Sequence, residues 1–395
     1  MAETFRILTL NNIAQVGLKR FPAGKYEVGA QVRDPDAILV RSHDMHALEI
    51  APQVKAIGRA GAGTNNIPVK RMSARGVPVF NAPGANANAV KELVIAGMLI
   101  AARNLLPASR FVAGLSGDDA AINQQVEDGK KQFAGVELPR HTLGVIGLGK
   151  IGSLVADAAI KLGMHVLGFD PHITVDAAWS LPSQVKKAHS IEEVLKANDF
   201  ATLHVPLVDA TRNLISRERI KMMKHGAILL NFSRDGVVDN EAVLEGLAAK
   251  RLKCYVCDFP AHKLAGKAGV IALPHLGAST REAEDNSAIM VADQLRDYLE
   301  HGNIQNAVNF PDVAMARESP FRVGIANANV PNMLGQISTA MAEAGLNIHN
   351  MLNKSRDEMA YTLVDVDSAV PASAVERIAA IKGVLAARYL PAEKS

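Results

Sequence analysis

The chain has 395 residues, of which 48% are hydrophobic and 21% charged, as in ordinary globular proteins with two or three domains. Its net charge of +3 and its single Trp argue against a nucleic-acid partner, although a basic pocket for a small anion stays compatible with them. The start of the chain predicts no secretory signal, and the most apolar helical stretch, 89–106, is too short and too charged to span a membrane. We therefore expect a cytoplasmic protein with no membrane partner.

In the first 88 residues, short strand and helix patterns alternate, which predicts a small α/β unit. Its strand candidates are the runs AILVRS, KAIGRAG and VPVFNAP. We expect a flavodoxin-like fold, and a long helical pattern after Thr280 is expected to pack back on it. The predicted substrate-binding domain is therefore discontinuous and consists of residues 1–88 and 281–310.

Residues 89–280 predict a doubly wound, parallel-sheet domain of the Rossmann type. The apolar runs LGVIG, HVLGFD, FATLHV, AILLNFS, KCYVCD and VIALPH alternate with helical stretches. Continuous apolar runs are typical of strands that are covered on both faces of a parallel sheet. Cys254 and Cys257 lie inside one such run, with no second Cys/His pair at metal spacing, so they predict core residues and no metal site.

A different pattern begins after Ser319-Pro320, which marks a predicted linker. Residues 321–395 follow the order strand, helix, strand, strand, helix, strand. That order predicts a ferredoxin-like α+β domain.

The turn after LGVIG holds Gly147, Gly149 and Gly152 in the spacing G-x-G-x-x-G. Between a strand and a helix, this spacing predicts a dinucleotide site. The first glycine permits a tight turn, the second lets the backbone approach a pyrophosphate, and the third lets helix and strand pack closely. The helix N-terminus then supplies amide donors for the pyrophosphate.

Asp170 ends the next predicted strand. Its carboxylate can accept hydrogen bonds from a ribose diol, and its charge would repel a 2′-phosphate. The predicted cofactor is therefore NAD rather than NADP.

Motifs across almost the whole of residues 1–310 carry a resemblance to a known family: GRAGAGTNNI, NAPGANANAVKELV, GLGKIG, HVPL, NFSRDGVVD and PHLGAST. With them the chain resembles the D-2-hydroxyacid dehydrogenases. The resemblance implies that Arg234 binds the substrate carboxylate and that His275 takes the hydroxyl proton. Arginine suits the first task through its planar fork of donors, and histidine suits the second because it titrates near working pH.

The resemblance also implies the residues that line the cofactor and substrate sites. The cofactor residues are Gly147, Gly149, Lys150, Ile151, Gly152, Asp170, His204, Val205, Pro206, Phe232, Ser233, Arg234, Asp258, His275, Gly277 and Ala278. The substrate residues are Arg59, as a phosphate contact, and Ala62, Gly63, Thr64 and Asn65, whose backbone amides would hold the carboxylate.

Two positions depart from the family pattern. Lys263 stands where a glutamate usually partners the catalytic histidine, so the acid partner of His275 is either missing or supplied from elsewhere. Asp235 stands in the place of the usual glycine after Arg234.

Residues 321–391 resemble an ACT domain, a small-molecule sensing unit that pairs edge to edge between subunits. Where dehydrogenases of this family carry one, serine binds at that seam, and the matching positions here are Asn327, Asn329 and Asn347. Asn332 replaces the usual glycine, and Asn tolerates left-handed backbone angles. The resemblance implies a homo-oligomer, dimer or tetramer, with L-serine as a possible effector; a module that only dimerises is the alternative.

The function implied by the resemblance is NAD-dependent oxidation of D-3-phosphoglycerate, a phosphorylated 2-hydroxy acid, to 3-phosphohydroxypyruvate, the first step of L-serine biosynthesis. One alternative is another dehydrogenase of the family that reduces 2-oxoglutarate or glyoxylate. A second is a non-catalytic NAD-sensing regulator, which the missing glutamate supports.

Overall fold

A computed structural model describes residues 4–392; the outermost residues of the predicted first and last domains, 1–3 and 393–395, lie outside the described residues. The chain forms two compact units. One contains residues up to Asn86 and from Arg281 onward, and the other is Ala87–Thr280. The division into three domains stays a prediction. None of the helices in the described part of the chain combines the length and the apolarity needed to cross a bilayer.

The first 86 residues form a five-stranded parallel sheet in the order β2-β1-β3-β4-β5. This is the flavodoxin-like strand order, as predicted. The strands are β1 (Phe5–Leu10), β2 (Tyr26–Gly29), β3 (Ala37–Val40), β4 (Ala56–Arg59) and β5 (Val79–Phe80), and the helices are α1 (Gln15–Leu18) and α2 (Val69–Ala74).

The second unit is built on a seven-stranded parallel sheet in the order β12-β11-β10-β9-β6-β7-β8. Its strands are β6 (Thr142–Ile146), β7 (His165–Phe169), β8 (Lys186–Lys187), β9 (Phe200–Leu203), β10 (Ala227–Asn231), β11 (Leu252–Cys257) and β12 (Val270–Ala272). Its helices are α3 (Ala87–Ala102), α4 (Leu105–Ala113), α5 (Asp119–Gly129), α6 (Lys150–Lys161), α7 (Val175–Trp179), α8 (Ile191–Ala197), α9 (Arg217–Met222) and α10 (Asn240–Ala248). Two apolar clusters share this sheet, and the central strands contribute to both. The doubly wound, parallel fold that the continuous apolar runs predict is confirmed.

The chain then returns to the first unit through the long helix α11 (Arg281–His301). This helix packs closely on α1 and on the first sheet, because a glycine of each faces it. A Cβ built on Gly17 would lie 2.5 Å from the Cβ of Ala288, and one built on Gly58 would lie 2.4 Å from Val291. The predicted return of this helix is confirmed.

The last part of the chain is an antiparallel sheet in the order β14-β15-β13-β16 with two helices, the predicted ferredoxin-like arrangement. Its elements are β13 (Phe321–Ala328), α12 (Met333–Glu343), β14 (Ile348–Arg356), β15 (Met359–Val366), α13 (Ala372–Ala379) and β16 (Val384–Pro391). One sheet face packs on α12 and α13. The other face contributes Ala326, Tyr361 and Leu363 to the apolar cluster of the first sheet and α11.

The predicted linker is not a free tether. Ser319 is buried, and its hydroxyl donates a hydrogen bond to the carbonyl of Val366. No local pattern predicts this contact, because it joins residues that are far apart in the chain.

Three arginines bind the carbonyls that end α11. Arg388 donates to Leu299 at 3.1 Å, Arg317 to Glu300 at 3.3 Å and Arg322 to His301 at 3.2 Å. The last carbonyls of a helix have no partner within it, so these side chains satisfy groups that would otherwise be left over.

Candidate active site

The predicted site residues of the second unit lie at one edge of its sheet. Gly147 follows β6, Asp170 follows β7, His204 follows β9, and Asp258 follows β11. All paired strands of this sheet run parallel, so their carboxyl ends share an edge, which is where ligands bind in open α/β folds. The remaining predicted residues follow β10 (Phe232, Ser233, Arg234) and β12 (His275, Gly277, Ala278) or continue the loops after β6 and β9 (Gly149, Lys150, Ile151, Gly152, Val205, Pro206).

The glycine turn has the geometry that the fingerprint predicts. Gly147 has φ of 91°, and a Cβ there would lie 2.5 Å from the carbonyl oxygen of His204. A Cβ on Gly152 would lie 1.9 Å from the Gly147 oxygen, so only glycine permits this approach of α6 to the turn. Gly149, at the N-terminal boundary of α6, has nothing within 4 Å of its Cβ position. This open space over a helix N-terminus fits a pyrophosphate.

Asp170 also holds the turn itself. One carboxylate oxygen accepts from the backbone N–H of Leu148 at 2.8 Å, and the other accepts from His172 at 2.9 Å. Each oxygen of a carboxylate can accept further bonds, so the residue stays available to a ribose diol.

The imidazole of His204 is neutral. Burial lowers the pKa of His204 to about 3, its Nε2 lies 3.0 Å from the Thr202 hydroxyl, and its Nδ1 is shielded from solvent. No described residue bonds to that Nδ1. The carbonyl of His204 lies beside Gly147, so this residue shapes the turn through its backbone.

A side chain that we did not predict, Asn231, organises the loop that carries Arg234. Its amide nitrogen donates to the Arg234 carbonyl at 3.0 Å, and its amide oxygen accepts from the Ser233 hydroxyl at 2.9 Å. Arg234 is exposed, and its guanidinium donates to the Ser233 carbonyl at 2.6 Å. A buried asparagine at a strand end was the available signal, because such a side chain needs partners.

Asp258 joins this loop to the one that carries His275. Its N–H donates to the Asn231 carbonyl at 3.1 Å. Its two carboxylate oxygens accept from the N–H groups of Leu276 and Gly277, each at 2.7 Å. The loops after β10 and β12 are thus connected through the residue that follows β11, the strand between them.

Lys263, which replaces the usual glutamate partner of the catalytic histidine, takes part in a different ion pair. Lys263 bonds to Glu241, on the first turn of α10, and both side chains are exposed. Among the described side chains of residues 87–280, no Asp or Glu forms an ion pair with His275. The imidazole instead contacts the ring of Phe259 edge to face, with centroids 5.1 Å apart.

In the first unit, Arg59 ends β4, and the other predicted substrate residues lie on the loop that follows this strand. The guanidinium of Arg59 extends over this loop, since a Cβ on Gly61 would lie 1.8 Å from it. The side chain of Asn81, which we did not predict, donates to the Ala62 carbonyl at 2.5 Å. Among the described residues, none accepts a hydrogen bond from the backbone N–H of the four predicted residues, Ala62, Gly63, Thr64 and Asn65.

The three predicted effector residues do not come together within one chain. Asn329 follows β13 and donates to the carbonyl of Asp357, whereas Asn347 precedes β14 and is bound to Asp367. The strand pairing places them at opposite ends of the sheet, roughly 25 Å apart for eight residues of strand. Asn327 is buried with its amide oxygen unpartnered.

The left-handed turn before α12 is kept. Asn332 takes the place of the usual glycine with φ of 62°. Asparagine tolerates this conformation, as we expected.

Cys254 and Cys257 lie buried in β11 as free thiols. Burial raises the pKa of Cys254 to about 12, so its thiolate is not available. In the part of the chain that the structure describes, no group of three or more His, Cys, Asp or Glu side chains is arranged to hold a metal ion.

Comparisons with known proteins agree with this geometry. Residues 95–277 match the family model described as D-isomer specific 2-hydroxyacid dehydrogenase, NAD binding domain. A D-3-phosphoglycerate dehydrogenase of Haemophilus influenzae is 32% identical over 92% of this chain and 88% of its own length. One of Methanocaldococcus jannaschii is 35% identical over 82% of this chain, which spans 60% of that relative.

A solved structure shares the fold. NAD-bound 3-phosphoglycerate dehydrogenase of Entamoeba histolytica superposes with a TM-score of 0.59 at 25% identity, over 78% of this chain and 99% of that one. The second unit is accordingly an NAD-binding domain. With its glycine turn, its Arg234 and His275 loops and these relatives, the chain belongs to the D-isomer specific 2-hydroxyacid dehydrogenase family.

Proposed function

We propose that this chain oxidises D-3-phosphoglycerate to 3-phosphohydroxypyruvate with NAD, the first step of L-serine biosynthesis. The observation that carries the proposal is the connection of the Arg234 and His275 loops at the carboxyl edge of the NAD-binding sheet, through Asn231 and Asp258. The choice of D-3-phosphoglycerate as the substrate is supported by the relatives that are named D-3-phosphoglycerate dehydrogenase.

The chain's own residues have distinct tasks in this reaction. Arg234 binds the substrate carboxylate with paired donors, and His275 takes the proton of the C2 hydroxyl. The open backbone at Gly149 and the amides that begin α6 hold the pyrophosphate, and Asp170 holds the ribose. NAD, when bound, supplies the hydride acceptor.

Within the first unit, the loop after β4 offers donors that suit an anionic ligand. The free N–H groups at residues 62–65 suit a carboxylate, and Arg59 suits a phosphate. Arg41, which follows β3 and pairs with Glu284 at 2.5 Å, is a further cation after a strand of the same sheet.

The test is a substrate panel with purified protein. We expect NADH to form from NAD and D-3-phosphoglycerate and to be consumed with 3-phosphohydroxypyruvate. His275→Ala should lower kcat by about 10²–10⁴-fold, the usual contribution of a general base. Turnover of 2-oxoglutarate or glyoxylate but not of 3-phosphohydroxypyruvate would replace this substrate with another of the family.

A non-catalytic NAD sensor is the second candidate, and the lack of an acidic partner for His275 within its own unit favours it. Saturable NAD binding without turnover of any 2-oxo acid would identify that function. Turnover of any of them would exclude it.

We propose further that the chain acts as a homo-oligomer, a dimer or tetramer, in the cytoplasm and that L-serine binds at an ACT seam. Asn329 and Asn347 lie at opposite ends of one sheet, so they can share a ligand only if a second copy supplies one of them. Light scattering measures the oligomer, and inhibition by serine that is lost in Asn329→Ala tests the effector.

A further inference from the structure

The backbone of His275 has a conformation that needs outside support. Its φ is 59°, in the left-handed region, which is uncommon for residues other than glycine even though asparagine, aspartate and histidine enter it more often than the rest. Such conformations persist where surrounding contacts determine them, and they concentrate at functional sites. The contacts at this turn therefore decide where the imidazole points.

Asp258 supplies those contacts. Asp258 is 2% exposed, and its carboxylate accepts from the N–H groups of the two residues that follow His275, at 2.7 Å each. Bonds from N–H to an ionised carboxylate are shorter and stronger than neutral ones. Gly277 completes the fit, because a Cβ there would come within 3.1 Å of the Asp258 oxygen.

Phe259 supplies the contact to the ring itself. Its ring meets the imidazole at an interplanar angle of 63°, a preferred geometry for aromatic pairs. Phe259 is the neighbour of Asp258 in the chain, so one dipeptide at the end of β11 touches both the backbone and the side chain of the His275 turn.

We propose that Asp258 and Phe259 are positioning residues for His275: the carboxylate fixes the turn, and the aromatic ring orients the imidazole, which pairs with no Asp or Glu among the described side chains of residues 87–280. The inference deepens the proposed function and rests on it for the role of His275. It assigns a purpose to a residue, Phe259, that the sequence did not single out.

The first test is a double-mutant cycle. Phe259→Leu should lower kcat by about tenfold and change the KM for NAD less than threefold, because misorientation of a catalytic group costs rate rather than cofactor binding. In the His275→Ala background the same substitution should change the residual rate less than twofold. Phe259→Tyr, which keeps a ring, should restore most of the lost kcat.

A matched control removes another ring of the same unit. Phe133 forms a tilted pair with Phe111, with centroids 5.2 Å apart, on the turn after α5. Phe133→Leu should leave kcat within twofold of the wild type. An equal loss from Phe259→Leu with and without His275 would overturn the proposal, since the effect would then not pass through the imidazole.

The second test needs no turnover and therefore separates the proposal from the proposed function. The ring CH signals of His275, assigned by their absence in His275→Ala, are followed by NMR. Phe259→Leu and Gly277→Ala should each shift these signals, whereas Phe133→Leu should not. Removal of the Phe259 ring current shifts these signals by itself, so the decisive variant is Gly277→Ala, which keeps the ring. Unmoved His275 signals in Gly277→Ala would overturn the proposal even if the enzyme were active, and shifted signals would support it even if 3-phosphoglycerate were not the substrate.

Discussion

Two glycines in the turn after β6 have different roles: one permits close packing of the fold, and the other leaves space for the cofactor. Gly152 is in close contact with the backbone of Gly147, whereas Gly149 faces open space. The first is a packing requirement, and the second leaves room for a ligand.

Alanine substitutions should separate these two roles. Gly152→Ala should destabilise the fold by roughly 1–3 kcal/mol, the usual cost of overpacking, and weaken NAD binding because the turn must move. Gly149→Ala should keep the melting temperature close to that of the wild type and still weaken NAD binding, since its methyl group occupies the open space. Calorimetry for binding and circular dichroism for melting measure both, and full NAD affinity in Gly149→Ala would contradict the assignment of the pyrophosphate site.

Because of His204, the free energy of unfolding of the second unit depends on pH. Burial lowers the pKa of His204 to about 3 in the folded state, and an unfolded histidine titrates near 6.5. Between these values the unfolded chain binds the extra proton, so the free energy of unfolding falls as pH falls through this window.

We expect the wild type to lose about 2 kcal/mol more between pH 7 and pH 5 than His204→Gln, which cannot ionise. Urea unfolding at the two pH values measures the difference. The exposed His172 provides the control: His172→Gln should keep the acid sensitivity of the wild type. Equal sensitivity in His204→Gln and wild type would show that another group causes it.

Among the individual residues of the site, those that belong to sequence motifs could be predicted. Gly147, Asp170, Arg234 and His275 stand in local patterns, and the structure brings them to strand ends at one sheet edge. The role of Asn231 was not predicted because it follows from the burial of that side chain, which a local pattern does not state. Phe259 was not predicted because its partner, His275, lies 16 positions away.

The C-terminal end of α11 shows how one element depends on another. Its final carbonyls are bound by arginines from the last part of the chain, and Arg388 also lies 4.8 Å from the ring centre of Tyr298. Arg322 is fully buried and binds both oxygens of Asp365, at 2.6 and 2.9 Å. Burial alone would raise the pKa of Asp365, but the bonds from Arg322 outweigh it and hold the pKa below its usual value.

Removal of the buried cation should therefore be costly. Arg322→Met should destabilise the first unit by roughly 3–5 kcal/mol, because Asp365 is left buried without its partner. Adding Asp365→Leu should recover part of that loss. The exposed pair Arg377–Glu343 is the matched comparison, and Arg377→Met should cost less than about 1 kcal/mol. Thermal melts of the three variants and the wild type measure these changes; equal effects for the buried and the exposed arginine would contradict the prediction.

Secondary structure was predictable where burial on both faces leaves a continuous apolar run. The strands β9 and β10 are fully buried, and the sequence indicates them directly. The short strand β2 at the sheet edge is only partly buried and carries no such run, so it was not predicted. The Arg322–Asp365 pair also escaped prediction, since a charged residue in a strand ordinarily indicates an exposed face.

In the whole molecule, the last sheet and the first one share an apolar cluster. Tyr298 and Phe310 belong to it together with Tyr361 and Leu363. The C-terminal part of the chain is therefore a structural part of the first unit.

We expect a chain that ends at Glu318 to lose the first unit rather than to become an unregulated enzyme. The deletion exposes apolar residues of the shared cluster and leaves the carbonyls of α11 without their donors. The second unit should still melt cooperatively and bind NAD. Circular dichroism, NAD titration and the oligomeric state of the truncated protein measure this; a truncated protein with full turnover and an unchanged melting profile would contradict it.

Because the chain leaves the ribosome from its N-terminus, the two units can complete their folding at different times during synthesis. Residues 87–280 are contiguous, so the NAD-binding unit has all of its strands as soon as that segment has emerged. The first 86 residues can complete their unit only with α11 and the antiparallel sheet, which are synthesised after residues 87–280. Contacts between distant parts of a chain form slowly, because closing the long loop between them costs conformational entropy. During refolding, NAD binding should therefore recover in a fast phase and substrate turnover in a slower one.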